Sequence, residues 1–473
     1  MYAYRQRFGT IILFLSDIVI LFLIAVCAVA VRNFLPRLIP GYPAFSRAFN
    51  YQWWVLPIWL TILAYEGAYT KKFTFWDEVK LTWTAAFFAT VSLLTIVSLG
   101  KLSYAVSRTL VMIMGIFALV LHPLLRIAVK RVLIRAGLLR SKVLILGTSE
   151  TAKSALTALR KEPNLGYDVV GFISEETAAD HRTIDGIKVH QYLDKVERYV
   201  QQCDIQAIVI AASGTEKDKV HQLVNRLQHK VRSILYIPDY SGMAVIGTEL
   251  RHFFHDQVFA LEIKNNLARP FNYYAKKLFD YAVGALLFAL IALPLLVISA
   301  LIRSTSKGPA ILRQKRIGKK GSHFTCYKFR TMHRNADEQL KKVLDTDPEA
   351  KAEWETHWKL KNDPRVTSIG GFLRTTSLDE LPQIFNVLRG EMSLIGPRPY
   401  LPREWNAIKD YSETIHSVLP GITGLWQVSG RSNSSYEQRL SLDAWYVRNW
   451  NLWLDIVILL KTIRVVLKSE GAA

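Results

Sequence analysis

The sequence predicts a membrane protein in three parts: an N-terminal four-helix transmembrane bundle, a central Rossmann-like α/β domain, and a C-terminal α-rich domain with a re-entrant membrane hairpin. Three observations predict this architecture. Apolar runs fill the N-terminal part, short β-branched runs alternate with polar helical stretches after Ser141, and one more apolar run interrupts the basic C-terminal part. The predicted domains are 1–140, 141–265 and 266–473, with the hairpin at about 279–302.

Composition indicates that part of the chain lies in lipid. Half of the 473 residues are hydrophobic although 21% are charged, and the formal net charge is +21. Such a charge suits an anionic bilayer surface, nucleic acid or a phosphate-bearing substrate, and charge alone does not choose among them. The cysteines Cys27, Cys203 and Cys326 are isolated, so neither a disulfide framework nor a zinc site is indicated.

Four apolar runs predict the bundle. They lie near 11–31, 53–69, 81–99 and 110–129, and each approaches the roughly 20 residues that a spanning helix needs. Basic residues precede the first run, separate the second from the third and follow the fourth, which favours a cytoplasmic location for both ends of the bundle. These residues are Arg5, Arg7, Lys71, Lys72, Lys80, Arg126, Lys130, Arg131, Arg135 and Arg140.

Three ionisable residues lie within these runs: Asp17, Glu66 and His122. Ionisable groups inside a membrane can mark a transport path. Each of the three stands singly near a helix end or a turn, however, so hydrogen bonding between helices is the favoured explanation.

Four β-branched runs after Ser141 predict a parallel α/β sheet: 142–147, 168–173, 207–212 and 233–237. The turn that begins at Gly147 approaches the fingerprint of dinucleotide-binding domains, but Ser149 stands where close approach of a pyrophosphate needs glycine. A regulatory or dimerisation module without a nucleotide is therefore favoured over a nucleotide-binding domain.

The fifth apolar run, 279–302, is long enough to cross a bilayer, but Pro294 within it should kink or break a helix. Both of its flanks are basic, so both ends favour the cytoplasmic face. We therefore favour a re-entrant hairpin over a fifth membrane span. The segment would enter the membrane, bend at Pro294 and return on the same side, with protein or water covering the backbone groups freed at the bend.

The segment 375–399, TTSLDELPQIFNVLRGEMSLIGPRP, holds the candidate chemistry. Asp379 and Glu380 can supply a nucleophile or metal ligand and a general base, and Arg398 on a proline-stiffened loop can grip a phosphate in a bidentate manner. Several cations near few carboxylates are what a diphosphate substrate with one divalent metal requires. The accompanying basic motifs are QKRIG at 314–318, YKFRTM at 327–332, KNDPR at 361–365, Arg374, and Gly430 with Arg431.

Structural explanations exist for the same residues. Ser377 and Glu380 match a capping box, with Ser377 as the N-cap of a helix and Glu380 as its third residue. Arg398 could simply tether a turn, and the basic clusters could simply attract anionic lipid. The stretch 452–467 could be an interfacial helix that covers the site or a helix of the core.

Five segments resemble the bacterial sugar transferases that start glycan assembly, the monotopic phosphoglycosyl transferases. The resemblance runs from Tyr273 to the C-terminus, and the four-helix start with the α/β middle resembles the large subclass of this family. The motif LWQVSGR looks closer to members that transfer galactose. The five segments are YKFRTM, KNDPRVT, TTSLDELPQIFNVLRGEMSLIGPRP, PGITGLWQVSGRS and LDAWYVRNWNLWLDIVILLKT.

The resemblance implies a reaction. Asp379 would attack the β-phosphate of a UDP-sugar, releasing UMP and leaving an aspartyl phosphosugar, and undecaprenyl phosphate would then take over the sugar phosphate. Glu380 would bind or activate that acceptor, and Mg²⁺ at Asp379 would neutralise the phosphates. The residues that we expect to contact substrate are Lys328, Arg374, Gln383, Asn386, Arg398 and Arg431.

The predicted protein is thus a multi-pass enzyme of the bacterial cytoplasmic (inner) membrane. Its catalytic domain lies on the cytoplasmic face in contact with membrane lipid, it forms a homodimer, and it has no nucleic acid partner. Galactose-1-phosphate is the favoured transferred group, and glucose-1-phosphate is the alternative. Two other classes stay open: a membrane-tethered sugar-nucleotide dehydratase, which would need a complete glycine fingerprint and a downstream YxxxK, and a non-enzymatic scaffold for polysaccharide assembly, which would need no acid pair.

Overall fold

The chain separates into two compact units, Met1–Tyr240 and Ser241–Ala473. The first unit holds a helical bundle and an α/β sheet, and the second holds the segment with the candidate chemistry. The computed structural model describes residues 2–43, 54–101, 106–174, 183–191, 196–211, 223–237, 249–253, 258–262, 266–306, 308–333, 335–349, 351, 354, 360, 363–430 and 435–468.

Four helices form the bundle: α1 (Tyr2–Leu38), α2 (Val55–Tyr65), α3 (Phe75–Leu99) and α4 (Arg108–Arg135). The helices α1, α3 and α4 are long and apolar enough to cross a membrane. The predicted four-helix bundle is confirmed, but the second helix has only 11 residues, fewer than a spanning helix needs. Small buried side chains let the helices approach closely, among them Ala25, Ala28, Ala85, Ala89 and Ala118.

A buried charge network joins the helices of the bundle. The carboxylate of Asp17 pairs with Arg126 and lies 3.2 Å from Nε2 of His122, which joins α1 to α4. Arg126 also donates to Glu78 of α3 over 3.0 Å. Hydrogen bonding between helices, the favoured explanation for Asp17 and His122, is therefore confirmed, whereas Glu66 lies at the C-terminal end of α2.

The network extends into the α/β part of the first unit. A one-turn 3₁₀ helix, Pro163–Leu165, presents Asn164, which is buried and donates from Nδ2 to the carboxylate of Glu78. Lys72, between α2 and α3, donates to the carbonyl oxygen of Leu165 over 2.9 Å.

The α/β part is a six-stranded sheet of order β3-β4-β2-β1-β5-β6, and all its pairings are parallel except that of β3 with β4. The four predicted strands are confirmed as β1, β2, β5 and β6. The hairpin of β3 and β4 is an addition to the prediction. The elements are β1 (Ser141–Leu146), α5 (Glu150–Lys161), β2 (Tyr167–Ser174), β3 (Thr183–Ile184), β4 (Ile187–Gln191), α6 (Val196–Gln202), β5 (Ala207–Ile210) and β6 (Ser233–Tyr236).

The turn after β1 carries Gly147 with φ 110° and leads to Ser149 just before α5. The hydroxyl of Ser149 donates to the carbonyl oxygen of Ala211 over 3.1 Å, which ties the turn to the end of the neighbouring strand β5. The residue that departs from the dinucleotide fingerprint therefore has a structural contact. The regulatory or dimerisation role of this domain stays a prediction.

The second unit contains a long apolar helix, Pro270–Thr305. It also contains two hairpins, a short parallel pair of strands and several short helices. The strands are β7 (Glu249–Phe253) with β8 (Val258–Glu262), β9 (Ile311–Ile317) with β10 (His323–Phe329), and β11 (Ser393–Ile395) with β12 (Gly421–Thr423). The α-helices are Ala336–Thr346, Ser368–Thr375, Ile384–Leu388, Ser412–Ile415, Leu425–Val428, Tyr436–Arg448 and Leu452–Lys468, and the longer 3₁₀ helices are Leu378–Gln383 and Pro402–Tyr411.

The long apolar helix is continuous over 36 residues with Pro294 inside it. In its most apolar window only 11% of the residues are buried within the protein. Leu290, Leu293 and Leu296 are each about two-thirds exposed, at 67%, 71% and 69%. Such a surface requires lipid or another apolar partner. The re-entrant bend at Pro294 stays a prediction.

The C-terminal helix Leu452–Lys468 packs into the core of the second unit rather than lying only at an interface. Its Asp455 is fully buried and accepts hydrogen bonds from Tyr446 over 2.7 Å and Trp450 over 3.0 Å. Lys276 of the long apolar helix forms an ion pair with the same carboxylate at 2.8 Å. A buried charge with this many partners fixes the two helices against each other.

Candidate active site

The segment predicted to carry the chemistry, 375–399, begins at the end of helix Ser368–Thr375. It folds into the 3₁₀ helix Leu378–Gln383, helix Ile384–Leu388 and strand β11. The predicted capping box is wrong: Ser377 has φ 57°, and its side chain makes no cap hydrogen bond. A left-handed residue that is not glycine stores about 1–3 kcal/mol of strain, a feature that clusters at functional sites.

Asp379 lies partly buried at the start of the 3₁₀ helix. Burial, with a smaller contribution from the neighbouring Glu380, raises its pKa to about 6, although the charges of Lys328 and Arg374 oppose the rise. The carboxyl group is thus more basic than a surface aspartate and still mostly ionised at neutral pH. That combination suits a nucleophile.

Glu380 is held by Lys328. The ammonium group of Lys328, on β10, donates to Oε1 of Glu380 over 2.6 Å, and both side chains are mostly covered. Arg374, in the last turn of its helix, donates from Nε to the hydroxyl of Thr331 over 3.0 Å. The predicted residues Lys328, Arg374, Asp379 and Glu380 therefore come together.

Arg398 belongs to a loop, 396–400, that is tied down on two sides. Oδ2 of Asp443 accepts from the backbone N–H of Arg398 over 3.1 Å and from the hydroxyl of Tyr400 over 2.8 Å. On the other side, Arg316 donates to the carbonyl oxygen of Pro399 over 2.9 Å. The backbone under the Arg398 guanidinium is thereby fixed, while that group lies over the ring of Trp426 at 5.8 Å.

Arg316 belongs to the predicted basic motif QKRIG but is not among the residues that the sequence led us to expect in contact with substrate. It is buried on β9, and burial together with the nearby charge of Arg398 lowers its pKa. The charge of Glu380 acts in the opposite direction, which places Arg316 electrostatically between the acid pair and the 396–400 loop. Among the described residues, its Nε has no hydrogen-bond partner. Arg316 thus adds a fourth cation to the site.

Gln383 and Asn386 are more deeply buried than substrate-contacting residues usually are. Asn386 is fully buried, donating to the carbonyl oxygen of Thr325 and to Glu391 over 2.7 and 2.6 Å while accepting from the N–H of Tyr327. These bonds attach the helix after the acid pair to β10. Gln383 is 1% exposed. Arg431 lies outside the described residues.

Asp443 gives the loop a pH dependence. Burial raises its pKa to about 7, above the roughly 3.9 of an unfolded aspartate. The folded state binds the carboxyl proton of Asp443 more tightly than the unfolded state does. The contribution of this proton to the free energy of unfolding is therefore full below about pH 4 and is lost as pH rises through about 7. We expect the melting temperature of Asp443→Asn, which keeps an oxygen for both hydrogen bonds, to fall less between about pH 5 and 8 than that of the wild type.

Thermal unfolding in detergent at several pH values measures this effect. Asp443→Ala serves as the comparison, since it loses both hydrogen bonds and should melt lower at every pH. An Asn variant with the wild-type pH slope would contradict the assignment of the titration to Asp443.

The comparisons with known proteins identify the family. Residues 271–469 match the family described as bacterial sugar transferase, and residues 64–238 match one described as CoA-binding domain. Undecaprenyl-phosphate galactose phosphotransferase of Salmonella typhimurium is 39% identical over 85% of this chain and 84% of its own. UDP-galactose-lipid carrier transferase of Erwinia amylovora is 39% identical over 85% and 84%. UDP-glucose:undecaprenyl-phosphate glucose-1-phosphate transferase of Klebsiella pneumoniae is 29% identical over 85% and 86%.

Apolar helices of membrane-crossing length, together with an acid pair set among cations, define a membrane-associated transferase. The chain belongs to the bacterial sugar transferase family.

Proposed function

We propose that this enzyme transfers a hexose-1-phosphate from a UDP-sugar to undecaprenyl phosphate, the first step of a cell-surface glycan. The observation that carries the proposal is the setting of Asp379: a partly buried carboxylate with a pKa of about 6, on which the positive charges of Lys328 and Arg374 act. A carboxylate in such a setting is a nucleophile surrounded by charges that can hold a phosphate beside it.

The reaction proceeds in two displacements at one phosphorus atom. An oxygen of Asp379 attacks the β-phosphorus, the bond from that phosphorus to the bridging oxygen breaks, and UMP leaves with the bridging oxygen. The product is an acyl phosphate that carries the sugar. An oxygen of undecaprenyl phosphate then attacks the same phosphorus, the bond to Asp379 breaks, and the free carboxylate returns.

Fixed cations favour both displacements. The phosphates carry their charge on oxygens, and Arg316, Lys328, Arg374 and Arg398 present positive groups whose positions are set before substrate binds. Glu380, held by Lys328, would receive or orient the acceptor phosphate. Asn386 is buried and hydrogen-bonded to the backbone of β10, so it would position the acid pair by holding the following helix in place rather than touch the substrate.

Mg²⁺ is the proposed metal. Within the described residues, no group of three or more histidine, cysteine or acidic side chains gathers into a metal site. Mg²⁺ in phosphate-transferring enzymes is commonly bound by one or two carboxylates together with the substrate phosphates, and Asp379 with Glu380 fits that donor set. When bound, the ion would neutralise phosphate charge.

The membrane arrangement follows from the solubility of the two substrates. A polyprenyl phosphate stays in the bilayer and a UDP-sugar stays in water, so the reacting phosphates meet at the depth of the headgroups. The exposed apolar surface of helix Pro270–Thr305, on the same unit as Asp379, supports such a position. The proposal places this unit on the cytoplasmic face of the inner membrane, with the helix bent at Pro294 as a re-entrant hairpin. The homodimer stays a prediction.

Galactose is the proposed sugar and glucose is the alternative. Two relatives at 39% identity carry galactose in their names, whereas a relative named for glucose is 29% identical. The two sugars differ in the configuration of one hydroxyl, so a panel of UDP-galactose, UDP-glucose and UDP-N-acetylhexosamines decides between them.

The test of the function uses membranes that contain the enzyme, undecaprenyl phosphate and UDP-galactose labelled with ³²P at the β-phosphate. The proposal predicts UMP in the water phase and the label in a butanol-extractable lipid. Release of UDP in place of UMP would show that the sugar moves without its phosphate and would overturn the proposal.

The topology is tested by cysteine labelling in a variant that lacks Cys27, Cys203 and Cys326. Phe271→Cys and Ser304→Cys place single thiols near the two ends of the long apolar helix. A re-entrant path predicts that a membrane-impermeant reagent labels both thiols from the cytoplasmic side only. Labelling of the two ends from opposite sides would establish a spanning helix instead.

A further inference from the structure

An apolar groove lies between two helices of the second unit. It has a volume of about 300 Å³ and is lined by Ile298, Leu301, Ser368, Ile369, Phe372 and Leu373. Five of these six side chains are apolar. One wall belongs to helix Pro270–Thr305 and the other to helix Ser368–Thr375.

Both walls connect the groove to features already described. Leu301 is 48% exposed and continues the exposed apolar surface formed by Leu293 and Leu296 on the same helix. On the opposite wall, Phe372 and Leu373 directly precede Arg374, whose charge acts on Asp379. The groove therefore adjoins the exposed apolar surface on one wall, and its other wall ends next to Arg374 in the sequence.

We propose that this groove holds the first isoprene units of the polyprenyl phosphate acceptor, an inference that rests on the proposed function. The ligand has an anionic end joined to an apolar chain, and the groove offers cations at one end and apolar walls along its length. Its volume takes only the part of the chain next to the phosphate, so the rest of the tail stays in the bilayer. Binding there brings the acceptor phosphate towards Asp379.

The test fills the groove. Leu301→Trp places a large ring between the two walls, and Leu296→Trp puts the same ring on the outer surface of the same helix as a matched control. The ring in Leu301→Trp would keep the acceptor chain out of the groove, so we expect the KM for undecaprenyl phosphate to rise about tenfold or more. In the control, this KM should change by less than about twofold. The same rise is expected for an acceptor of only a few isoprene units, because the groove binds the units beside the phosphate.

A second measurement separates this proposal from the proposed function. Exchange of labelled UMP into UDP-galactose needs no acceptor, so it reports folding and the first displacement, and both variants should retain it. If the wild type shows no exchange and no lipid product, the proposed function fails. If exchange is normal and Leu301→Trp keeps the wild-type KM for the acceptor, only the groove proposal is overturned. A change in oligomeric state with that KM unchanged would identify the groove as a contact between copies of the chain, which also overturns it.

Discussion

Asp379→Asn is expected to lower UMP release by about 10³-fold or more, because an amide cannot form the acyl phosphate. The substitution keeps the size of the side chain and removes its charge, so binding of the UDP-sugar should persist or improve as repulsion of the phosphates falls. Steady-state release of UMP and the exchange of UMP into UDP-galactose measure the loss.

The pH dependence of the wild type gives a second view of the same residue. With a pKa of about 6, Asp379 should produce a rise in kcat/KM for the UDP-sugar up to about pH 6 and a plateau above it. Lys328 lowers this pKa, so Lys328→Met should move the rise to higher pH.

Asp410→Asn is the matched control, since Asp410 is exposed on the 3₁₀ helix Pro402–Tyr411. It should keep wild-type activity and the same pH profile. A sugar phosphate still bound covalently to Asp379→Asn, detected by intact mass, would show that another residue is the nucleophile.

Arg398→Ala should reduce kcat/KM for the UDP-sugar by about 10²–10³-fold, the loss expected when one fixed donor to a charged transition state is removed. The reason lies in the loop that carries it. The Arg398 N–H donates to Asp443, and Arg316 donates to the carbonyl oxygen of Pro399. These bonds hold the backbone of 396–400, so the guanidinium is placed before the substrate arrives. Arg398→Lys should recover only part of the loss, because an ammonium cannot bind a phosphate through two parallel hydrogen bonds.

The control for Arg398 is Arg403→Ala, a neighbouring exposed arginine. It removes the same charge from the same region and should change kcat/KM by less than about twofold at physiological salt, where exposed charges are screened. Equal losses in the two alanine variants would mean that the site depends on general positive charge and not on the position of Arg398.

The sequence predicted the parallel strands because buried β-branched runs are a strong local signal. It did not predict the β3–β4 hairpin, since β3 has two residues and shows no alternation. A signal was present in the turn: Asp185 and Gly186 have φ 49° and 81°, as the favoured two-residue hairpin turn requires. The short helix α2 differs from its prediction because hydropathy marks an apolar run but not where its helical hydrogen bonds begin.

At the candidate site, the acid pair and Arg398 could be predicted from unusual residue types on a short segment. The capping box is wrong because the φ of Ser377 depends on the packing of the helix before it, which spacing does not reveal. Arg316 is similarly hidden: β9 reads ILRQKRI, and no apolar alternation tells which of its cations is buried. Burial of Asn386 likewise depends on the contact of its helix with β10.

The hydrogen bond from Asn164 to Glu78 has a consequence for how the protein can be divided. Glu78 is a fully buried carboxylate on a membrane helix, and one of its partners comes from the α/β part. Removing that part would take away a hydrogen bond to a buried charge, worth about 1.5–3 kcal/mol. A truncation at the end of the hydrophobic helices would thus separate Glu78 from one of its buried partners. In chimaeras with relatives, the bundle and the α/β part should therefore be exchanged together.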